Sequence, residues 1–282
     1  MMRFRILSLF VTIQVISFII WNTLSYAETS LEQMTRNLPS HPAPAVPTVV
    51  VEQIIEEPEQ SPEHVVHFSS LNMSEKGFYV NEIKKNQLTT ALSALPFDHA
   101  RTVENITIDY SPEIRRGMGG NNKIILRGIN MSVPEMIAVM VHELGHNVDY
   151  AYLTPSEQLT ESGFVDGSMP LYESDASLNF YRINWKSETR RKTDAVNTDF
   201  VSGYAMTDCF EDFAESYTYY VLHNKDFKRL ATTSEALYAK YYFMKYEVFD
   251  GMEFDTGDGL VSVEDRPWDI TALDYNFTEF LS

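Results

Sequence analysis

The sequence predicts an α+β domain over residues 64–282, with a small sheet and one long helix first and a mainly helical half after them. Residues 105–110 alternate apolar and polar side chains as a half-buried strand does, and residues 123–127 form a second short apolar strand. The stretch 132–149 repeats apolar residues at helical spacing, and residues 207–221 do so again. We expect a cleft between the two halves.

The first 27 residues have the pattern of an export signal. Arg3 and Arg5 precede an apolar run from residue 6 to about residue 24, and small residues end the stretch. An uncleaved membrane anchor is the alternative, because about 19 mostly apolar residues could just span a bilayer. In both cases we expect the rest of the chain outside the cytoplasm, either secreted or held at a membrane surface.

Residues 28–63 predict an extended spacer. Six of the twelve prolines fall between residues 38 and 63, mixed with alanine, valine and a glutamate-rich patch. This composition gives a semi-rigid chain that cannot bury much apolar surface. A tether, a removable pro-segment and a disordered tail without a task all fit it.

Composition excludes some partners and some metal sites. The formal net charge is −18, so the surface repels nucleic-acid phosphates and attracts cationic peptides or proteins. Cys209 is the single cysteine, which excludes an intrachain disulfide and a cysteine-rich zinc site. We expect Cys209 to be a small buried residue, with a metal-blocking thiol as the alternative.

Three stretches lead up to the long helix. Residues 80–95 predict a helix that stops before Pro96. The glycine-rich residues 115–122 predict a flexible turn, and because they do not open a helix they are not a phosphate loop. We expect residues 123–127, directly before the long helix, to be the sheet edge that pairs with an extended peptide.

The long helix carries an H-E-x-x-H pattern at His142, Glu143 and His146. Ser132 and Glu135 form a capping box that opens the helix about ten residues before the first histidine. Two histidines four residues apart lie on one helical face, so both imidazoles can reach one metal ion, and the glutamate can approach a metal-bound water. This is the chemistry of a zinc hydrolase; ordinary solvated helix histidines are the alternative.

A catalytic zinc site needs a third protein ligand further along the chain. Glu211 and Glu215 lie four residues apart on one flank of the helix that Thr207 or Asp208 begins, and like charges at this spacing repel unless one faces a cation. We expect Glu211 to bind the metal and Glu215 to hydrogen-bond a ligand imidazole, with Asp149 on the histidine face in a similar supporting place. A plain acidic helix, or Asp199 as the third ligand, are the alternatives.

These motifs together resemble the gluzincin metallopeptidases of the anthrax lethal factor and Pro-Pro endopeptidase type. The resemblance covers roughly residues 120–225 and rests on the H-E-x-x-H pattern, the sequence Gly203-Tyr204-Ala205 and the sequence from Phe210 to Glu215. It implies a zincin-like fold, Zn²⁺ bound by the two histidines and Glu211, Glu143 as general base, and Tyr204 as donor to the developing oxyanion. Glu211 lies 65 positions after His146, more than the family leads us to expect, so substrate choice is not transferred.

The predicted function is a secreted or surface-exposed zinc-dependent endopeptidase that acts on a peptide or protein and has no nucleic-acid partner. The alternative is a metal-stabilised, non-catalytic binding or adhesion module, held by the spacer. Residues 178–185 are aromatic-rich and predict either core packing or a lid, and residues 233–249 predict a packing helix. The acidic residues from Asp250 to Asp258 predict solvated charge or, as the alternative, a calcium site.

Overall fold

The computed structural model of the protein describes residues 71–76, 82–111, 115–127, 131–153, 160–259 and 265–281, all within one unit, Glu63–Ser282. The predicted export signal and the predicted spacer lie outside these residues. The strands are β1 Asn72–Lys76, β2 Asn105–Asp109, β3 Gly117–Gly120, β4 Lys123–Arg127, β5 Glu161–Asp166, β6 Met169–Tyr172, β7 Trp185–Ser187 and β8 Arg190–Arg191. The α-helices are α1 Glu82–Ser93, α2 Phe97–Ala100, α3 Val133–Ala151, α4 Ser177–Asn184, α5 Cys209–Leu222, α6 Asn224–Ala231, α7 Glu235–Phe243 and α8 Phe277–Phe280. The α+β class is confirmed, and no helix in the described ranges is long and apolar enough to cross a membrane.

The main sheet has four strands in the order β1-β2-β4-β3, with β1, β2 and β4 parallel and β3 antiparallel to β4. Residues 123–127 are therefore an interior strand, and the prediction that they form the edge was wrong. Strands β1 and β3 are the two edges, and β3 lies inside the stretch predicted as a flexible turn. Asn121 and Asn122 both have positive φ, 52° and 61°, and close a two-residue hairpin between β3 and β4.

Helix α3 begins at the predicted cap. Ser132 Oγ accepts the backbone N–H of Glu135 at 3.3 Å, whereas the Glu135 carboxylate accepts from Arg116 at 3.1 Å instead of returning to the cap. The predicted capping box is thus formed on one side only. The apolar stripe that the spacing predicts is fully buried, at Ile137, Val141, Leu144 and Val148.

The chain between α3 and α5 forms two hairpins. In sequence order, β5–β6 comes before α4 and β7–β8 comes after it. Phe180 and Trp185 are almost completely buried, and Phe180 packs edge-to-face on Phe213 of α5 with ring centroids 5.2 Å apart. Edge-to-face contact is a favourable arrangement for two aromatic rings. The aromatic-rich stretch is therefore core packing that joins this segment to the helical half.

The helical half extends from α5 to α8. Ser234 caps α7, and after Phe243 the predicted helix continues as a π-helical turn, Met244–Val248. In the acidic stretch that follows, the Glu253 carboxylate forms ion pairs with Lys228 at 3.1 Å and Lys245 at 2.9 Å. This carboxylate thus faces lysines. Helix α5 packs along α3, and this helix pair positions the candidate site.

Candidate metal centre

Side chains from α3 and α5 meet where the two helices pack. His142 and His146 follow each other on α3 with ring centroids 5.0 Å apart. Glu211 Oε2 on α5 lies 3.1 Å from His142 Nε2 and 3.4 Å from His146 Nε2. The ligand atoms of the three residues all lie within 4.8 Å of one another, so this group could hold a metal ion. We call these three residues the metal group.

Glu215 supports the metal group from behind. Its carboxylate is fully buried; Oε1 lies 3.0 Å from His142 Nδ1, and Oε2 accepts from the Ser202 hydroxyl at 2.5 Å and the Ile270 N–H at 2.9 Å. Because a carboxylate only accepts hydrogen bonds, His142 Nδ1 carries a proton toward Glu215, while Nε2 faces Glu211 and the metal group. One buried acid thus orients a histidine that could bind a metal ion.

The charges within the metal group are tightly balanced. Burial lowers the pKa of His142, but hydrogen bonds to Glu211 and Glu215 outweigh it and the pKa lies well above its ordinary value. Burial also lowers the pKa of His146, but the Glu211 hydrogen bond together with the charges of Glu211 and Glu143 outweighs it, and the pKa is raised. For Glu211 the balance is the opposite. Burial raises its pKa, but the hydrogen bonds and charges of the two histidines together outweigh burial, so the pKa lies below its ordinary value. The ionised carboxylate therefore attracts positive charge to this point, whether that charge is a proton or a metal ion.

Glu143 lies beside the metal group, and strand β3 passes directly over it. A Cβ added at Gly117 would lie 2.3 Å from Glu143 Oε1, and one added at Gly119 would lie 2.4 Å from the Glu143 carbonyl oxygen. Only glycine permits so close an approach, and the Gly119 backbone hydrogen-bonds the Glu143 carboxylate. Burial raises the pKa of Glu143, while the charges of the two histidines oppose that rise. Glu143 is a carboxylate held in place with a raised affinity for a proton.

Tyr204 stands in the short turn Tyr204–Met206 that precedes α5. Its hydroxyl donates to Glu211 Oε1 at 2.9 Å, and its ring stacks on His142 with centroids 6.0 Å apart. Burial, helped by the Glu211 charge, raises the pKa of Tyr204. The hydroxyl therefore keeps its proton at neutral pH and remains a hydrogen-bond donor next to the metal group.

Three other sequence candidates lie outside the metal group. Asp149 is buried and accepts from the Tyr181 hydroxyl, and burial raises the pKa of Asp149 to about 7; neither histidine is among its hydrogen-bond partners in the described part of the chain. Asp199 accepts from the Ser234 hydroxyl at 2.6 Å and does not join the metal group. Cys209 is a buried free thiol whose pKa burial raises, consistent with a packing residue.

Residues 265–273, which we call the C-terminal strap, complete the site and were not predicted from the sequence. The N–H groups of Gly203 and Tyr204 donate to the carbonyl oxygens of Pro267 and Trp268, at 2.9 and 2.6 Å. The strap also supplies the Ile270 N–H that binds Glu215. These are backbone contacts across about 60 residues of sequence, and no side-chain pattern encodes such contacts.

The metal group, Glu143 and Tyr204 open into one cavity of about 1510 Å³. Its walls come from β3, α3, β6, the start of α5 and the C-terminal strap. The arrangement offers three ligand atoms for a cation, a carboxylate that can take up a proton, and a hydroxyl that can donate a hydrogen bond. Comparisons of this chain with protein-family models, with curated proteins and with solved structures find no match.

Proposed function

We propose that the protein is a zinc-dependent endopeptidase, exported from the cytoplasm, of the gluzincin type that its motifs resemble. The observation that carries the proposal is the meeting of His142, His146 and Glu211 at the wall of a large open cavity, with Glu143 beside them. Catalytic zinc sites have three protein ligands and an open position, whereas structural sites are closed by four. The described residues supply three.

Zinc fits the metal group better than magnesium or calcium. Two imidazole nitrogens with one carboxylate oxygen suit zinc, while magnesium and calcium prefer oxygen ligands alone. Two atoms bound about 2.0–2.1 Å from a tetrahedral zinc ion lie roughly 3.3 Å apart. The observed nitrogen–oxygen distances from Glu211, 3.1 and 3.4 Å, bracket that separation. When bound, zinc supplies Lewis acidity that polarises a carbonyl and lowers the pKa of water.

The chain's own residues supply the proton transfers and part of the charge stabilisation. Glu143 takes a proton from the attacking water and passes it to the leaving amine, a role that its raised pKa suits. The Tyr204 hydroxyl donates to the carbonyl oxygen as that oxygen gains negative charge. Glu215 keeps His142 in the tautomer that presents Nε2 to the ion.

A peptide substrate has a strand to pair with. Strand β3 is bonded to β4 on one side, lines the cavity and lies over Glu143. An extended peptide that adds to the other side of β3 would form main-chain hydrogen bonds along the cavity wall. This arrangement supports peptide hydrolysis over reactions of small molecules, which need no strand edge.

The decisive variant is Glu143→Gln. We expect it to retain zinc and to lose about 10²–10⁴-fold in kcat, because the amide keeps the shape of the base but cannot take up a proton. Metal content of the purified full chain is measured by elemental analysis, and cleavage by mass spectrometry of a digested peptide library. Glu247→Gln, which also removes one carboxylate but at an exposed position outside the cavity, is the matched control.

The outcomes separate the proposal from its alternative. A parent protein that binds no metal, or a Glu143→Gln variant that cleaves as the parent does, contradicts the peptidase. A parent that binds zinc stoichiometrically but cleaves nothing in the library favours the metal-stabilised binding module. Loss of cleavage in Glu143→Gln alone, with metal retained in all three proteins, supports the peptidase.

A further inference from the structure

Large hydrophobic side chains are exposed around the cavity. Among the described residues twelve such side chains have at least 38% of their surface exposed, and four of the twelve line this one cavity. They are Met118, Tyr150, Met169 and Trp268. Exposed apolar side chains that gather in one place mark a binding site more often than scattered ones do.

Trp268 is the largest of the four, and hydrogen bonds hold its backbone. Its side chain is 58% exposed, yet backbone hydrogen bonds fix the strap at Trp268 and at the residue before it, from Gly203 N–H to Pro267 O and from Tyr204 N–H to Trp268 O. One side of the indole lies against Gly203, where an added Cβ would be 2.4 Å from Cε3. Its ring centroid is 6.5 Å from that of Tyr204. The indole is therefore a fixed apolar surface next to the candidate oxyanion donor.

Charge at this end of the cavity does not favour a basic side chain. The nearest strap carboxylate, Asp269, already forms an ion pair with Arg116, which also binds Glu135 at 3.1 Å. Glu143 and Glu211 belong to the catalytic machinery proposed above. The acidic net charge of the whole chain can draw cationic molecules toward the protein, but contact at Trp268 is decided by apolar area.

We infer that Trp268 is a specificity-determining residue and that its indole receives an aromatic or other large apolar side chain of the substrate, close to the scissile bond. The inference rests on the proposed peptidase function. An aromatic ring in contact with the indole gains both from burial of apolar area and from ring stacking.

The test measures binding apart from catalysis. Zinc-loaded full-length Glu143→Gln protein is titrated calorimetrically with short capped peptides that differ only in one central residue: Phe, Leu, Ala, Lys or Glu. We expect the Phe and Leu peptides to bind about tenfold more tightly than the other three. Adding Trp268→Ala should reduce this ratio to near one, and adding Trp268→Phe, which keeps a smaller ring, should preserve most of it. Adding Tyr246→Ala, another exposed aromatic residue but outside the cavity lining, should leave it unchanged.

The inference is overturned if the Lys or Glu peptide binds most tightly, if the preference survives Trp268→Ala, or if no peptide binds. Its failure can be told apart from failure of the peptidase. Selective binding that depends on Trp268, in a parent protein that cleaves none of these peptides, supports the apolar subsite and contradicts the enzyme. Cleavage by the parent without any preference for Phe or Leu supports the enzyme and contradicts the subsite.

Discussion

The four histidines in the described part of the chain form two pairs that sit in opposite surroundings. His142 and His146 face carboxylates of α5, and the pKa of each is raised. His99 and His223 are also buried, and burial lowers the pKa of each to about 4, because it outweighs the charges of Asp98 near His99 and of Asp226 and Asp258 near His223. Burial acts on all four, so the direct carboxylate contacts of His142 and His146 make the difference.

His99 and His142 differ in the charge state of the ring that their hydrogen-bond partners satisfy. The His99 ring is satisfied as a neutral group, because Nε2 donates to the Val248 carbonyl at 2.8 Å and Nδ1 accepts from the Tyr217 hydroxyl at 3.0 Å. At His142 both nitrogens face carboxylates, which a neutral ring cannot satisfy together. A bound metal ion resolves that conflict by taking the place of the second proton. The unbalanced acceptors at His142 therefore mark the group that could hold a metal ion.

We expect the largest difference between the two histidine pairs when a nearby tyrosine hydroxyl is removed. The two hydroxyls are those of Tyr204, next to the metal group, and Tyr217, next to His99. Tyr204→Phe should lower kcat by about 10²–10³-fold with little loss of zinc, because it removes an oxyanion donor but no metal ligand. Tyr217→Phe should leave kcat unchanged and destabilise the fold by about 1–3 kcal/mol, because the buried His99 Nδ1 loses its donor. Steady-state kinetics and urea unfolding measure the two quantities. A reversal of this pattern would mean that the roles of the two regions are misassigned.

Removal of one site carboxylate should have the next largest effect. In Glu215→Gln the amide oxygen is needed by Ser202 and Ile270, so the amide N–H₂ faces His142 Nδ1 and favours the wrong tautomer. We expect zinc affinity to fall about 10–100-fold, measured by competition with a chelator. Glu247→Gln is again the control. Unchanged affinity in Glu215→Gln would show that this buried acid does not orient the ligand.

The α3 half of the site could be predicted from the sequence because its information is local. A cap at Ser132, an apolar stripe and two histidines four residues apart define a helix with a polar face, and the structure has that helix. The α5 half was predicted through the same logic, from a cap at Thr207 or Asp208, which the structure places at Asp208, and from the spacing of Glu211 and Glu215. Helical periodicity carries both inferences.

The rest of the site could not be predicted because long-range contacts define it. The strap sequence shows no periodicity, and its role comes from backbone hydrogen bonds to Gly203 and Tyr204. Edge strand β3 was mistaken for a turn because glycines, which normally weaken strands, are required at Gly117 and Gly119 by the closeness of α3. That closeness appears only when the helix and the sheet are packed together.

The smallest expected effect concerns His99 and His223, which we call the packing pair. It is a loss of folding stability in acid. His99 has a folded-state pKa of about 4 against an ordinary value of 6.5, so between these pH values the unfolded chain binds a proton that the native state does not. Stability contributed by neutral His99 is complete above about pH 6.5 and is lost as pH falls toward 4. The expected loss is about 2 kcal/mol between pH 7.5 and pH 5. His99→Gln cannot titrate but keeps an amide N–H for the Val248 carbonyl, so its unfolding free energy should fall less steeply over this range.

Urea unfolding of zinc-free protein at several pH values measures that slope without interference from metal loss. His223→Gln provides a second case, since burial at the junction of α5 and α6 lowers the pKa of His223 to about 4. Each variant should remove its own share of the pH dependence, and the double variant should remove both shares, because the two rings have no common hydrogen-bond partner among the described residues. If neither variant flattens the slope, the acid sensitivity of the fold lies elsewhere. The division of the histidines into a metal-binding pair and a packing pair would then lose its energetic basis.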